Sequence, residues 1–237
     1  NVSFAYNGDA LFRSLNFTVN SGQWTCLIGP SGCGKSTLLR LISGTLRENF
    51  SGKIHFSDGN SHTGRTAWMA QKDLLLPWLS VLDNVCLGSR LRGEMSHEKR
   101  QKAISLLEDA GLGEYGDSLP SELSGGMRQR VALLRTLMEE RPVILMDEPF
   151  SALDALTRLK LQDLSASLVE GATVLMVTHD PLEALRLGHR IYVMTHRPAT
   201  LSKVLIPPGS PPREPGDPAI VSLQARLLHR LVGGGNP

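Results

Sequence analysis

The sequence contains few cysteines and lacks any long apolar run. Its 237 residues include three cysteines, Cys26, Cys33 and Cys86, whose spacing matches neither a disulfide framework nor a metal site, so we expect a reducing compartment. The longest apolar runs, such as "TVLMV" at 173–177, are too short to span a bilayer. These features exclude a disulfide-stapled scaffold and predict a chain without a membrane-spanning helix.

An excess of charge of one sign is also missing. The formal net charge is +2, and charged residues make up 20% of the chain. The sequence offers no basic stretch of the kind that nucleic-acid binding requires, so we predict no nucleic-acid partner. The apolar fraction of 41% is that of an ordinary globular protein, and the chain is long enough to bury a substantial core.

Short apolar runs alternate with helical patterns and predict the fold class. The runs have the length and composition of buried strands: "WTCLIG" (24–29), "VILMD" (143–147), "TVLMVTHD" (173–180) and "RIYVMT" (190–195). Such strands, separated by helices, predict an α/β fold with a mostly parallel sheet that is covered on both faces. Three further stretches predict additional strands: "LNFTV" (15–19), "KIHFSDGN" (53–60) and "RTAWMAQ" (65–71).

Changes in pattern predict three parts of the chain. These are a core of residues 1–71 and 141–205, a helical subdomain of residues 72–140, and a tail of residues 206–237 with a Pro-rich linker and a C-terminal helix. In the helical subdomain, Ser96 is a typical N-cap and Gly111 a typical helix stop. In the tail, Asp217 and Pro218 are typical of an N-cap and a first helical residue.

A glycine-rich segment follows the first buried strand and opens a helical pattern. "GPSGCGKST" (29–37) fits G-x-x-x-x-G-K-[ST], and both flanks argue against a chance glycine loop. Its backbone N–H groups and the helix N-terminus would receive phosphate oxygens. Lys35 would contact the β- and γ-phosphates, and Ser36 would offer a hydroxyl to Mg²⁺. The expected nucleotide-binding residues here are Gly29, Pro30, Ser31, Gly32, Cys33, Gly34, Lys35, Ser36 and Thr37.

Polar side chains stand at the ends of other predicted strands. Asp147 and Glu148 follow "VILM" and reach the carboxyl edge of the sheet, where ligands bind in such folds. We expect Asp147 to hold Mg²⁺ and Glu148 to polarise the attacking water. His179 is placed to meet the γ-phosphate or the water, and Gln71 to contact Mg²⁺. The acid pair also has a plain interpretation as a surface pair at a strand end, and His179 as a structural histidine; the position of Gln71 taken alone is a weak signal.

Seven features in one order resemble the nucleotide-binding subunit of an ABC transporter, over about residues 1–200. They are Tyr6, the phosphate loop, Gln71, "LSGG" (123–126), "VILMDE" (143–148), "SALD" (151–154) and His179. The resemblance implies a P-loop NTPase core of the RecA-like type, with a mostly parallel sheet, an antiparallel β subdomain and an inserted α-helical subdomain. It also implies that the activity is ATP hydrolysis and that the cofactors are ATP and Mg²⁺.

The resemblance assigns roles that the motifs alone leave open. Tyr6 would stack on adenine, Gln71 would sense Mg²⁺ and the γ-phosphate, and His179 would be the switch histidine. Asp154 would lie at the contact between two subunits. The expected catalytic residues are Glu148, His179 and Gln71, and the expected Mg²⁺ ligands are Ser36, Gln71 and Asp147.

The octet "LSGGMRQR" (123–130) carries no general base, nucleophile or metal ligand. Its two glycines leave room for backbone to approach a ligand closely. By resemblance, two copies of the chain pack head to tail as a homodimer. Ser124 and the N–H groups of Gly125 and Gly126 would then bind the γ-phosphate of the ATP that the partner holds.

Finer features resemble the nitrate, sulfonate and taurine importer branch, which also includes carriers of thiamine-precursor pyrimidines. They are "QKDLLLPWLSVLDNV" (71–85), Met127 after the signature "LSGG", "LDALTR" (153–158) and residues 178–201. Within the branch, the stretch "LGHRIYVMTHRPA" (187–199) resembles the carriers of thiamine-precursor pyrimidines more than the others. The branch implies a subunit on the cytoplasmic face of the inner membrane. Residues 73–85 would border a groove for a transmembrane permease, and an extracellular or periplasmic solute-binding protein would be an indirect partner.

Two other function classes remain open at this point. One is an ABC-type ATPase of DNA repair or translation. About fifty residues separate Gln71 from Leu123, which leaves no room for the coiled-coil insertion of repair relatives, and translation relatives usually carry two such domains. The other is a regulatory module that holds ATP without hydrolysing it, against which Glu148 and His179 argue.

Overall fold

The computed structural model describes residues 1–46, 50–59, 64–195 and 198–232. The predicted segments 53–60, 178–201 and 206–237 therefore lie partly outside the described residues. The described strands are β1 (Val2–Tyr6), β2 (Asp9–Leu15), β3 (Trp24–Ile28), β4 (Phe50–Ser51), β5 (Thr66–Met69), β6 (Val143–Asp147), β7 (Thr173–Thr178) and β8 (Arg190–Val193). The described helices are α1 (Lys35–Ile42), α2 (Val81–Val85), α3 (Leu87–Leu91), α4 (His97–Asp109), α5 (Gly125–Leu137), α6 (Ala155–Leu168), α7 (Pro181–Leu187) and α8 (Pro218–Val232).

The chain divides into two compact units. The first comprises Asn1–Thr66, Pro142–Glu148 and Gly171–Pro237, and the second comprises Ala67–Arg141 and Pro149–Glu170. These bounds differ from the expected ones in three stretches. Residues 67–71 and residues 149–170, with α6, belong to the unit that contains the helices of the insertion, and the C-terminal stretch belongs to the first unit.

A parallel sheet organises the first unit, with strand order β6-β7-β3-β8. All five residues of β3 are buried, as expected for a predominantly apolar strand that has a neighbour on each side. The register pairs Asp147 with Val177 and Ile28 with Thr178. The carboxyl ends of β3, β6 and β7 are therefore level, and the segments that follow them leave the sheet at one edge.

A small antiparallel sheet, in the order β2-β1-β4, also belongs to the first unit. Asn7 and Gly8 join β1 to β2 with φ values of 48° and 91°, the left-handed pair that a two-residue hairpin turn requires. The predicted strand at 15–19 is wrong, because β2 ends at Leu15. The prediction at 53–60 is also wrong for the described residues: the strand of this region is β4, and residues 53–56 are irregular.

Helices of the first unit pack on the parallel sheet and on one another. α1 contacts β6, α7 contacts β3 and β7, and α8 contacts α7. Ile220 and Leu227 of α8 are buried, so the C-terminal helix packs on its own unit. Within the described residues, no helix combines the length and apolar character needed to cross a membrane.

The second unit is helical, and α5 packs against both α2 and α4. Four consecutive residues of α5, 131–134, are buried. Ser96 caps α4 as predicted, because its hydroxyl accepts a hydrogen bond from the Lys99 N–H at 3.2 Å. Asn84 of α2 is fully buried, and its amide bonds the backbone of Leu76, Leu79 and Ser80. The segment before α2 is thereby tied to the helices.

Candidate nucleotide-binding site

The phosphate loop connects β3 to α1. Residues 29–34 form the loop, and Lys35, Ser36 and Thr37 begin α1. Gly34 has a φ of 108°, and a Cβ there would lie 2.9 Å from the Phe12 ring. A Cβ on Gly29 would lie 2.4 Å from the carbonyl oxygen of Met194. At position 34, both the positive φ and the lack of room for a Cβ require glycine. At position 29, the lack of room for a Cβ alone requires it.

Lys35 lies folded against this loop. Its Nζ donates to the carbonyl oxygens of Gly29 at 2.8 Å and Pro30 at 2.9 Å, and lies 3.9 Å from Sγ of Cys33. Burial raises the pKa of the Cys33 thiol, while the positive charge of Lys35 opposes this to a smaller extent. The loop thus holds one cation among its own carbonyls, close to the backbone N–H groups expected to receive phosphate.

Asp147 ends β6 with a buried carboxylate. Burial raises its pKa, a hydrogen bond from Ser36 lowers it, and the charge of Glu148 raises it. Among the described residues, Oδ1 of Asp147 has no hydrogen-bond partner. A buried carboxylate oxygen that lacks a donor is costly unless a cation or water satisfies it. The Ser36 hydroxyl and this carboxylate therefore fit the donor set expected for Mg²⁺.

Glu148 and His179 meet at the end of the sheet. Nδ1 of His179 lies 3.3 Å from Oε1 of Glu148, because the two residues follow the neighbouring strands β6 and β7. Glu148 has a φ of 51°, a backbone strain that is rare for a residue with a side chain and concentrates at functional sites. Its N–H donates to the Val177 carbonyl at 2.8 Å, which fixes where the carboxylate emerges.

Tyr6 ends β1 in the same unit. Its side chain is exposed, and its ring packs edge-on against Phe4 with the centroids 4.7 Å apart. Packing of one ring edge leaves the aromatic ring held in place at the surface. This is the arrangement that a stacking platform needs.

The remaining predicted residues lie in the second unit. Gln71 is exposed and follows β5 after one intervening residue. Ser124 is the N-cap of α5, and its hydroxyl accepts from the Met127 N–H at 3.3 Å. A Cβ on Gly125 would lie 3.9 Å from Arg128 Nη2, whereas one on Gly126 would lie 3.0 Å from the Ala152 carbonyl oxygen. Gly126 therefore serves packing within the unit, while the surface above Gly125 is open.

Asp154 is exposed at the N-terminus of α6. Its carboxylate accepts from the Thr157 N–H at 3.0 Å, and this hydrogen bonding lowers the pKa of Asp154. The residue therefore has a local role as an N-cap. Its predicted place at a subunit contact stays a prediction.

Three side chains of α5 that the sequence reasoning missed connect the motifs of the second unit. Arg128 donates to the Asp73 carboxylate at 3.1 Å and to the Leu123 carbonyl at 2.7 Å. Arg135 donates to the backbone carbonyls of Asp73 and Leu74. Gln129 bonds Ser151 and the N–H of Ala152. The helical spacing of these residues from Ser124 could have placed them on α5, but nothing in the sequence names their acceptors.

Comparison with known proteins identifies the family. The family model described as ABC transporter matches residues 12–151, more than half of the chain. An uncharacterised ABC transporter ATP-binding protein of Haemophilus influenzae is 48% identical over 98% of this chain and 97% of its own length. An aliphatic sulfonates import ATP-binding protein, SsuB 1, of Pseudomonas savastanoi pv. phaseolicola is 41% identical over 96% and 92%.

Solved structures show the same fold. The ATP-binding cassette MJ0796, a dimer in a post-hydrolysis state bound to ADP and Pi, superposes with a TM-score of 0.73 and 31% identity. The match covers 88% of this chain and 97% of that one. The predicted P-loop NTPase fold is confirmed. The chain belongs to the family of ABC transporter ATP-binding proteins, and it is an ATPase.

Proposed function

We propose that the chain is the ATP-hydrolysing subunit of a bacterial importer and works as a head-to-tail homodimer below a separate permease. The observation that carries the catalytic part is the meeting of Glu148 with His179, beside the buried Asp147 and its Ser36 partner. The importer part is supported by relatives named for aliphatic sulfonate import at about 40% identity over most of the chain.

Different residues of the first unit would bind the phosphates and Mg²⁺. Lys35 leaves the loop carbonyls to contact the β- and γ-phosphates, and the loop N–H groups bind the remaining oxygens. Ser36 and Asp147 would hold Mg²⁺, which when bound neutralises charge that develops on the phosphates. Because burial raises the Asp147 pKa, acidification neutralises this carboxylate at a higher pH than it does an ordinary aspartate.

Glu148 acts as the general base in this scheme. Its carboxylate accepts a proton from water as the water oxygen bonds to the γ-phosphorus. The bond from that phosphorus to the β–γ bridging oxygen breaks, and ADP carries away the electron pair. His179, within hydrogen-bonding range of the same carboxylate, orients it and contacts the γ-phosphate. The strained backbone at Glu148 fixes the direction of attack in advance.

The open surface at Ser124 and Gly125 completes the site in the dimer. Neither residue carries chemistry of its own, and the exposed start of α5 offers N–H groups and a positive helix end to an anion. We assign this surface to the ATP held by the partner, with Asp154 at the subunit contact and Tyr6 stacking on adenine. Support comes from the relative MJ0796, for which two dimeric structures are known.

Residues 73–85 form the proposed permease surface. Along this strip, Leu74 and Trp78 are exposed, Trp78 by 71%. The other large apolar side chains are buried or half-buried: Leu75, Val81, Leu82 and Val85 are buried, and Leu76 and Leu79 are half-buried. The exposed pair is therefore the part of the strip that is open to a partner. Arg135 holds the carbonyls of residues 73 and 74 and so fixes the backbone that presents the exposed pair. An exposed tryptophan beside a leucine is typical of an interface anchor.

Trp78→Ala is expected to weaken coupling to transport. Loss of an interface anchor should lower ATP-driven uptake by about tenfold or more, while the KM for ATP and the hydrolysis rate of the isolated subunit stay at their wild-type values. Uptake is measured on the assembled transporter, and ATPase activity is measured on the isolated subunit. Leu91→Ala, at a leucine that is 78% exposed outside the strip, is the matched control. Equal loss of uptake and ATP affinity would contradict this assignment.

The cargo that we propose is an aliphatic sulfonate, within a branch that also takes nitrate, taurine and thiamine-precursor pyrimidines. The names of several relatives at about 40% identity support this choice. Cargo would contact the permease and the solute-binding protein, with this subunit on the cytoplasmic face of the membrane. Its own residues therefore act on transport rate rather than on selectivity.

Uptake of labelled alkanesulfonate tests the cargo. Cells that lack the chromosomal copy of this subunit should recover uptake with the wild-type chain and not with Lys35→Ala, because the loop then lacks its phosphate-binding cation. Labelled nitrate, taurine and a hydroxymethylpyrimidine are measured in parallel. Recovery of pyrimidine uptake without recovery of sulfonate uptake would overturn the cargo and leave the importer assignment in place.

A further inference from the structure

A buried arginine of the Pro-rich tail joins that tail to α7. Arg213 is 6% exposed, and its guanidinium donates to the carbonyl oxygens of Leu185 at 2.8 Å and Gly188 at 2.9 Å. Its backbone N–H donates to the Arg186 carbonyl at 3.0 Å. These carbonyls belong to the C-terminal end of α7, where helical carbonyls lack partners within the helix.

The same guanidinium also organises the tail itself. Its Nε and Nη2 atoms donate to the carbonyl oxygens of Pro207, Pro208 and Gly209, at distances of 2.6–3.2 Å. One side chain thus connects two segments through five backbone carbonyls. Burial lowers the pKa of Arg213, and the positive charge is stabilised by the carbonyl dipoles and by the negative end of α7.

α7 is short and carries His179 directly before its N-cap. The helix has seven residues, too few to be stable on its own. At its N-terminal end, the Asp180 carboxylate accepts from the Leu182 N–H, and the Asp180 N–H donates to the Thr178 hydroxyl. That hydroxyl donates to the buried Glu183 carboxylate at 2.6 Å. The turn that presents His179 is therefore built from bonds to α7.

The C-terminal helix adds apolar support to the same element. α8 packs on α7, with Ile220 and Leu227 buried. α7 is consequently fixed by its N-terminal turn, by Arg213 at its C-terminal end and by packing against α8. Two of these three supports come from residues beyond 206. The sequence predicts only a Pro-rich linker and a helix in this stretch, and no site residue.

We propose that Arg213 is a positioning residue for ATP hydrolysis: by closing the C-terminal end of α7, it fixes the turn that holds His179 against Glu148. The inference rests on the roles proposed above for His179 and Glu148. The guanidinium of Arg213 bonds backbone carbonyls of α7 and of the tail, so its effect on hydrolysis passes through α7. It follows that a change in the tail alters kcat for ATP hydrolysis, whereas the affinity for nucleotide depends on the phosphate loop.

A double-mutant cycle between Arg213 and His179 tests this proposal on the full chain. Arg213→Ala is expected to lower kcat by about tenfold with an unchanged KM for ATP, because displacement of a positioned group affects the chemical step. Arg213→Lys, which keeps the charge but has fewer donors, should fall between wild type and Arg213→Ala and covers the case in which the alanine variant fails to fold. Arg226→Ala, at an exposed arginine of α8, should match wild type.

The cycle separates positioning from general stability. In a His179→Ala background, measured under single-turnover conditions, either Arg213 substitution should produce no further loss. An equal loss in both backgrounds, or wild-type kcat for Arg213→Ala, would overturn the proposal. If His179→Ala itself hydrolyses ATP at the wild-type rate, the role proposed above for His179 is wrong. Thermal melting of each variant shows whether it is folded at the assay temperature.

Discussion

Glu148→Gln is expected to bind ATP normally and to hydrolyse it at about one hundredth of the wild-type rate or below. The amide keeps the size and the hydrogen-bonding position of the side chain, but it cannot take a proton from water, and general-base catalysis contributes about 10²–10⁴ in rate. The phosphate loop, Lys35 and the Ser36–Asp147 pair are unchanged, so the nucleotide should still bind. The loss should therefore appear in kcat and not in KM.

Size-exclusion measurement of the same variant shows the consequence for assembly. With ATP and Mg²⁺, unhydrolysed nucleotide should hold two copies together and double the apparent mass, whereas the wild-type chain returns to monomer as it turns over. Glu170→Gln, which removes an exposed carboxylate elsewhere on the chain, is the control for lost charge. Normal hydrolysis by Glu148→Gln would show that another group is the base.

The parallel sheet was predictable because its strands are defined by burial alone. Residues 143–147 are strand β6 with the predicted bounds, and β7 covers 173–178 of the predicted 173–180. A strand with neighbours on both sides is predominantly apolar, so the first charged or ionisable residue after the apolar run marks its end. That rule places Asp147 and His179 at strand ends, and parallel pairing then brings the adjoining Glu148 and His179 together.

The antiparallel sheet was predicted less well for an equally physical reason. Its strands have one exposed face and mixed composition, so alternation alone put a strand at 15–19, beyond the actual end of β2 at Leu15. The stronger signal was Asn7-Gly8, whose left-handed preference closes the β1–β2 hairpin. Turn chemistry fixes the register here, and apolar periodicity does not.

Side chains that bond backbone carbonyls were beyond prediction from the sequence. Arg213 and Arg135 look like ordinary arginines, and each bonds backbone carbonyls that lie 25 or more residues away in the chain. A carbonyl has no sequence signature, because every residue carries one. The motifs predict the groups that meet nucleotide, whereas the contacts that position those groups depend on tertiary structure.

Mixing Lys35→Ala and Ser124→Ala subunits is expected to restore ATP hydrolysis that neither variant shows alone. If Ser124 acts on the partner's ATP, a mixed dimer has one site with both defects and one site with neither. Random mixing should then recover about a quarter of the wild-type number of intact sites. Lys35→Ala dimers lack the phosphate-binding cation at both sites, and Ser124→Ala dimers lack the signature hydroxyl at both, so each variant alone stays low.

The matched control is Ser96→Ala. Ser96 and Ser124 are both N-caps of 13-residue helices in the second unit, with cap distances of 3.2 and 3.3 Å, and losing either cap costs about 1 kcal/mol. Ser96→Ala should hydrolyse ATP at close to the wild-type rate. Absence of rescue in a mixture that forms mixed dimers by native mass spectrometry would place Ser124 and Lys35 in one chain's site. Rescue would show that "LSGG" completes the site of the other copy, which is the reason it carries no chemistry of its own.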